Sequence, residues 1–528
     1  MKSKIVENWL TKVNELTFTI PFSQLLISEG HRVVHISSQG PLEQGKDIIS
    51  VDPNGVVHCY QLKCGKINGR VWGEIKAEID QLVELPPKHP SLPEVVEEWE
   101  AYLVTNGSIA NPTARDIYDY AEIKKRKGHR PLKTMVGGEL VSAFTEFYDR
   151  FLPVDVLNLQ TFLEIYNQNG DFDLESSKFK LFFESFFEAS SDVSRQKKVE
   201  AIRASLVLCN YLLSQKHERG NYIGIIKGHV LLLASIYEFC ENHNLAPRLW
   251  KDSETLIYEA IEIQFKQLIS ELESMTDGYV QRKYGVLSEV LTHKIRCSEL
   301  LGYLAAFKNY YRLRHMEDPE DNEKLNSLME SMIEYRALLG EAFIPYFVNY
   351  IVDLYHAGKL EEAAACLTQL VVALSNSHAG ERKGIPSPYY GLAESVNWTL
   401  GRGKRIEEDF QWRSHGMHAL TLMSSRLGLR DAMASLWPLI SRISREEMIP
   451  ENPKDYLLWR MDEGNLRSSF PETTQSWSAL KMEAAQDHSD TLPDTLRERK
   501  YFLPLFINAM PHRFNHRFAL LLLSEEIS

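Results

Sequence analysis

The stretch that most constrains this chain is a β-hairpin signal close to its start. Two runs rich in β-branched residues, Ile48-Ile49-Ser50-Val51 and Val56-Val57-His58-Cys59-Tyr60-Gln61-Leu62, flank Asp52-Pro53-Asn54-Gly55. Proline presets one dihedral of the turn, and Asn-Gly supplies the positive φ that closes a hairpin. The pattern predicts antiparallel strands over about 47–51 and 56–64. Side chains alternate along a strand, so Cys59, Gln61 and Lys63 share one face while Tyr60 and Leu62 point to the other. Asp47 opens the partner strand beside Gln61 and Lys63. A carboxylate, an amide oxygen and an ammonium on one spot suit a hard divalent cation and a water near a phosphate.

The surrounding 150 residues supply a sheet for that hairpin. Ile5, Trp9, Leu10, Val13 and Leu16 recur at helical spacing, Phe18 to Pro21 disturbs the pattern, and a second helical piece ends at Glu29-Gly30. Arg32 to Ile36 reads as a first strand. After the hairpin, Val71, Ile75, Ile79, Leu82 and Val83 mark an amphipathic helix that Pro86-Pro87 stops. Tyr102 to Thr105 reads as a strand, Pro112 to Lys125 as a helix, Leu132 to Val136 as a strand and Glu139 to Asp149 as a helix. The order α-β-β-β-α-β-α-β-α predicts an α+β domain with a central mixed sheet flanked by helices.

With its frame Gly-Lys-Asp-Ile…Tyr-Gln-Leu-Lys, this region resembles the PD-(D/E)xK nuclease superfamily, in its Mrr-like restriction endonuclease branch. Gly30, Val104-Thr105-Asn106-Gly107 and Val136-Gly137-Gly138-Glu139-Leu140 fall where that branch carries its turns. The resemblance implies a metal-dependent endonuclease acting on DNA with Mg²⁺ or Mn²⁺. Asp47 and Gln61 would ligate the metal, Lys63 would steady the nucleophile or the phosphorane charge, and Glu15, with Glu7 behind it, is the candidate first-helix ligand. Lys46, Lys66 and Arg70 flank the cleft as candidate phosphate contacts, and Lys124-Lys125-Arg126 is the densest basic run. His58 lies on the face away from Gln61 and reads as a packed histidine, and Thr105-Asn106 reads as a turn cap.

Net charge is −13 over 528 residues, so a nucleic-acid site has to be a local basic surface on an acidic body. The six cysteines, with no C-x-x-C pair, argue against a disulfide scaffold or zinc module and suit a reducing compartment. No signal-peptide pattern opens the chain, and Tyr222 to Cys240, which contains Lys227 and His229, reads as a buried helix and not a membrane span. The expected location is cytoplasmic, with no membrane partner.

From Phe151 onward strand signals fade, and apolar residues at helical spacing predict a solenoid-like array over 151–528, with a break near 376–390. One such stretch of helical spacing is 321–357, helices are expected near 405–425 and 496–525, and a long loop or irregular segment over 445–495. Leu354 to Ala363 resembles the helix–turn–helix of a tetratricopeptide repeat, with Gly358 and Ala363 allowing close packing. His512 and His516 read as helix-surface residues. Nuclease cores joined to such modules resemble effectors of bacterial restriction and anti-phage defence. That implies a homo-oligomer, dimer or larger, with a companion ATPase or a phage-derived trigger as further partners. The alternatives are an RNase of the same fold and a catalytically inactive helical scaffold.

Overall fold

The structure, a computed structural model, describes residues 6–7, 9–11, 13, 15–36, 44–93, 96–151, 156–274, 287–316, 318–379, 384–401, 410–460, 466–486 and 491–524. The chain divides into two compact units. The first comprises Met1–Leu174, Leu181–Leu233 and His243–Phe265, and the second Glu175–Lys180, Ala234–Asn242 and Lys266–Ser528.

The first unit holds a five-stranded mixed sheet in the order β1-β2-β3-β4-β5. The strands are β1 (Arg32–Ile36), β2 (Ile48–Val51), β3 (Val57–Lys63), β4 (Trp99–Thr105) and β5 (Leu132–Met135). β1, β2 and β3 are antiparallel neighbours, with Ile48 opposite Tyr60 and Val51 opposite Val57. β4 and β5 then add in parallel, with Lys63 beside Thr105 and Ala101 beside Leu132. The hairpin turn is the expected one: Asp52 Oδ1 accepts from the backbone N–H of Asn54 at 2.9 Å and of Val56 at 2.8 Å.

Helix α1 (Glu15–Ser28) runs without interruption through Pro21, contrary to the predicted break. An interior proline costs about 3 kcal/mol. Phe18, Phe22, Leu25 and Leu26 are all buried, at about 1.5–3 kcal/mol each, and outweigh it. Phe22 meets Tyr60 edge-on at 5.3 Å, which closes one face of the sheet. The other face carries α2 (Gly69–Glu84) and α3 (Asn111–Arg126). Asn68 caps α2 by accepting from the N–H groups of Arg70 and Val71, and Trp72, Ile75, Ile79, Leu82 and Val83 form its buried stripe. That stripe packs on Ile49, Val57, Cys59, Ala101 and Leu103.

The first unit does not end at residue 150. After α4 (Gly137–Phe151) and two further helices, α5 (Val156–Tyr166) and α6 (Ser176–Glu188), comes α7 (Arg195–Leu212). From α7, Asn210 donates to Gln24 Oε1 at 3.1 Å and Tyr211 packs on Trp9 at 4.8 Å, so the sheet domain has helices from beyond the expected boundary built into it. The helix Tyr222–Asn242 is long and apolar enough to cross a bilayer, yet its most apolar window is 94% buried within the protein. Its Lys227 pairs with Asp173 at 3.2 Å.

The second unit is mainly helical, and several expectations are corrected there. The stretch of helical spacing over 321–357 holds two helices, Pro319–Ile333 and Ile344–His356. The tetratricopeptide-like turn between Ile344–His356 and Leu360–His378 is present, but Gly358 serves a positive φ of 74° and has open space around its Cβ position. Its role is the turn, not close packing. The stretch expected as a long loop or irregular segment over 445–495 instead carries strands Ser444–Met448 and Leu466–Ser469, which join Arg413–Ser414 in a three-stranded sheet, and a helix at Trp477–Ala484. Ser-Arg-Glu-Glu-Met has no apolar alternation, so pairing with its neighbours, not propensity, makes it a strand. Arg413–Ser414 lies inside the span expected as a helix over 405–425, of which 417–425 is helical and 405–409 falls outside the described residues. The expected 496–525 helix is likewise divided, into Leu503–Ala509 and His516–Leu523, because Pro511 cannot extend the first piece.

Candidate active site

The Asp47 side chain sits where β2 begins and β3 ends. Its backbone N–H donates to Tyr60 O at 2.8 Å, extending the hairpin ladder by one residue. Its Oδ2 accepts from Gln61 Nε2 at 2.7 Å and from the Leu62 N–H at 2.6 Å. A carboxylate only accepts, so Gln61 has to turn its nitrogen toward Asp47 and its oxygen away. Gln61 is 3% exposed, and its Oε1 is buried with no hydrogen-bond partner among the described residues. An orphaned buried acceptor is costly, by roughly 1–3 kcal/mol. A carboxylate at a strand end, with an amide oxygen beside it once the Gln61 amide turns over, suits a hard cation that keeps several waters.

Lys63 is two residues further along the same face. Its Nζ pairs with Glu78 Oε2 at 3.1 Å. Glu78 is the residue the sequence reading missed. It lies on α2, one position before the buried Ile79, and the available signal was the polar side of that amphipathic stripe. The approach of α2 also explains Gly45: its φ is +69°, and a Cβ there would sit 2.2 Å from the Glu78 carbonyl oxygen. Only glycine lets the turn before Asp47 lie against the helix.

The loops at this end of the sheet are tied together. Asn106 Oδ1 accepts from the Gly65 N–H at 2.7 Å, and its Nδ2 donates to Leu10 O at 2.6 Å and Val13 O at 3.1 Å. Thr105 Oγ1 donates to Gly65 O at 2.7 Å. A Cβ on Gly107 would lie 2.3 Å from that same carbonyl oxygen, so this loop too needs glycine for close approach. The turn-cap reading of Thr105-Asn106 therefore holds. His58 is packed as expected, its ring near-parallel to those of Tyr60 and Tyr102 at 6.2 and 5.8 Å on the far face.

Of the proposed phosphate contacts, Lys66 and Arg70 are exposed at the Lys63 end, Arg70 pairing with Glu74 at 2.9 Å. Two others need correction. Lys46 is 2% exposed and its Nζ donates to Gln44 O at 3.1 Å, so the ammonium is turned inward and burial lowers its pKa. Lys124 is held by Asp80, at 2.5 Å, and by Glu84. Lys125 and Arg126 are exposed, but they close α3 at the sheet end where Ala101 pairs with Leu132, opposite the end where Lys63 pairs with Thr105. A helix of this length spans about 24 Å. The basic run is therefore not at the Asp47 cleft. Glu7 is exposed; Glu15 opens α1, and its side chain lies outside the described residues.

Comparison with protein-family models, curated proteins and solved structures returned no match.

Proposed function

We propose that the chain is a divalent-metal-dependent endonuclease whose centre is Asp47, Gln61 and Lys63, with DNA as substrate. The observation that carries this reading is the Asp47 carboxylate hydrogen-bonded to the amide of Gln61, whose Oε1 is buried and has no hydrogen-bond partner among the described residues, on the same strand face as Lys63. Mg²⁺ or Mn²⁺, when bound, would polarise the phosphate and lower the pKa of the attacking water. Asp47 would hold it through oxygen, joined by Gln61 once its amide turns over to bring Oε1 to the metal in place of Nε2. Glu78 fixes the Lys63 ammonium, which then stands ready to orient the nucleophile and offset charge on the pentacovalent phosphorus. Lys66 and Arg70 receive the flanking backbone phosphates. Glutamine brings no charge, so metal affinity is lower than with two carboxylates.

Within this proposal the helical remainder restrains or assembles the nuclease, in the manner of a restriction or anti-phage effector working as a dimer or larger, with a companion ATPase or phage-derived trigger. An RNase and an inactive scaffold are the competing readings. Incubating the full chain with Mg²⁺ or Mn²⁺ and plasmid, linear DNA or RNA separates all three. Metal-dependent cutting of DNA that vanishes in Asp47→Ala supports the proposal, cutting of RNA alone favours the RNase, and no cutting in any arm sinks the catalytic reading.

A further inference from the structure

A second polar centre lies in the second unit, among side chains that the nuclease reading does not use. His418 is the second residue of the helix Met417–Arg426, Glu447 lies on the strand Ser444–Met448, and His516 begins the helix His516–Leu523. One ligand atom from each falls within 4.8 Å of the other two. His418 Nδ1 is 3.4 Å from Glu447 Oε1, His516 Nδ1 contacts that same oxygen, and the two rings are 4.5 Å apart. The histidines are 8% and 6% exposed.

The proton inventory makes this arrangement informative. His418 Nε2 stands 2.8 Å from Glu483 Oε1, and a carboxylate only accepts, so Nε2 carries the hydrogen. In neutral imidazole Nδ1 then presents a lone pair, and it faces a carboxylate oxygen that also presents one. Two acceptors facing each other in a buried site need a positive centre between them, either a second proton on the ring or a metal ion. Three features favour the ion. The donor set is two imidazole nitrogens and one carboxylate oxygen, which suits a borderline first-row cation. At bond lengths of about 2.0–2.1 Å the edge of a tetrahedron is about 3.3 Å, close to the His418–Glu447 separation. Glu483 on the remote nitrogen is the usual outer partner that fixes a ligating histidine.

We infer that His418, Glu447 and His516 form a zinc-class divalent metal site, with Glu483 orienting His418. Glu447 is 21% exposed, which leaves the fourth coordination position to water. Seating the ion requires His516 and Glu447 to part until they reach the same tetrahedral edge. The ion would staple two helices and a strand whose residues are far apart in the chain, so loading stabilises this unit. The inference does not depend on the nuclease reading.

The test uses the full chain stripped with chelator and titrated with Co²⁺ and Zn²⁺, in wild type and in Asp47→Ala, which removes the other candidate metal ligand. The expected result is one ion per chain in both proteins, visible d–d bands of a low-symmetry Co²⁺ site that Zn²⁺ abolishes and excess Mg²⁺ does not, and a raised thermal midpoint. Glu447→Gln and His516→Ala should lose the bands, and Glu483→Gln should weaken binding by about 10–100-fold. Where a variant fails to fold by near-UV circular dichroism, the wild-type titration decides alone. No stoichiometric Co²⁺ bands in wild type, or equal bands in folded Glu447→Gln, overturns the site and leaves a protonated His418 as the positive centre.

Discussion

Asp47 and Glu447 are both strand carboxylates, but their surroundings are assembled in opposite ways. Asp47 meets its partner Gln61 across a hairpin, 14 residues away along the chain. Glu447 meets histidines from two helices, one of which is oriented by Glu483, itself 65 residues from His418. The first centre is a property of local backbone geometry. The second exists only once helices have packed. Their neighbours differ accordingly: Asp47 is satisfied by amide donors, whereas Glu447 sits among groups whose protons or metal ions decide their charge.

The comparison breaks most sharply at Asp47. Asp47→Ala and Lys63→Ala are each expected to lower the cleavage rate by ~10³-fold or more with the fold retained, the first because it removes a metal ligand and with it a Lewis-acid contribution of several kcal/mol, the second because it removes the ammonium that offsets the phosphorane charge. Full metal-dependent activity in either variant moves the active site elsewhere. Gln61→Glu sharpens the same point: it adds a second carboxylate and should hold Mg²⁺ at least as tightly, as read by calorimetry.

The next effect is on stability. His229 is 1% exposed, with Nδ1 on Ile225 O at 2.9 Å, and burial lowers its pKa from 6.5 to about 4. Between those values the unfolded chain binds a proton that the folded chain refuses, so this residue's contribution is lost as pH falls below about 6.5. From pH 7 to 5 it amounts to about 2 kcal/mol. His229→Met should flatten that slope. Identical pH dependence of the urea midpoint in both proteins contradicts the assignment.

Smaller effects test the helix beside the hairpin. Glu78→Gln frees Lys63 from its 3.1 Å partner and should reduce kcat about tenfold while leaving DNA affinity unchanged or stronger. An unchanged kcat denies Glu78 a positioning role. Lys66→Ala and Arg70→Ala should each weaken DNA binding and lower the salt slope by about one, whereas Arg126→Ala, at the other end of the sheet, should not. Binding isotherms at several salt concentrations check this, and an equal slope change in Arg126→Ala would place DNA on the basic run instead.

Much of the sheet was legible because a strand or an amphipathic helix writes its period into a few consecutive residues. β1, β2, β3 and α2 lie within a few residues of where the patterns put them. Patterns failed where burial overrode local preference, as at Pro21 in α1, or where a strand carried no apolar alternation, as at Ser444–Met448. Charge runs misled for a related reason. Lys124 reads as a phosphate contact until α2 brings Asp80 and Glu84 beside it.

The hairpin, its turn and the face shared by Asp47, Gln61 and Lys63 were already written in one short stretch of consecutive residues, since pleat and register follow from backbone sterics over that length. Only the tertiary structure decided which charges stay available. It turned Lys46 inward, set Glu78 on Lys63 and took His512 and His516 off the surface, to 3% and 6% exposure. Those outcomes depend on how distant helices and strands pack, and packing is fixed by the shapes of many side chains together, not by any short run of sequence.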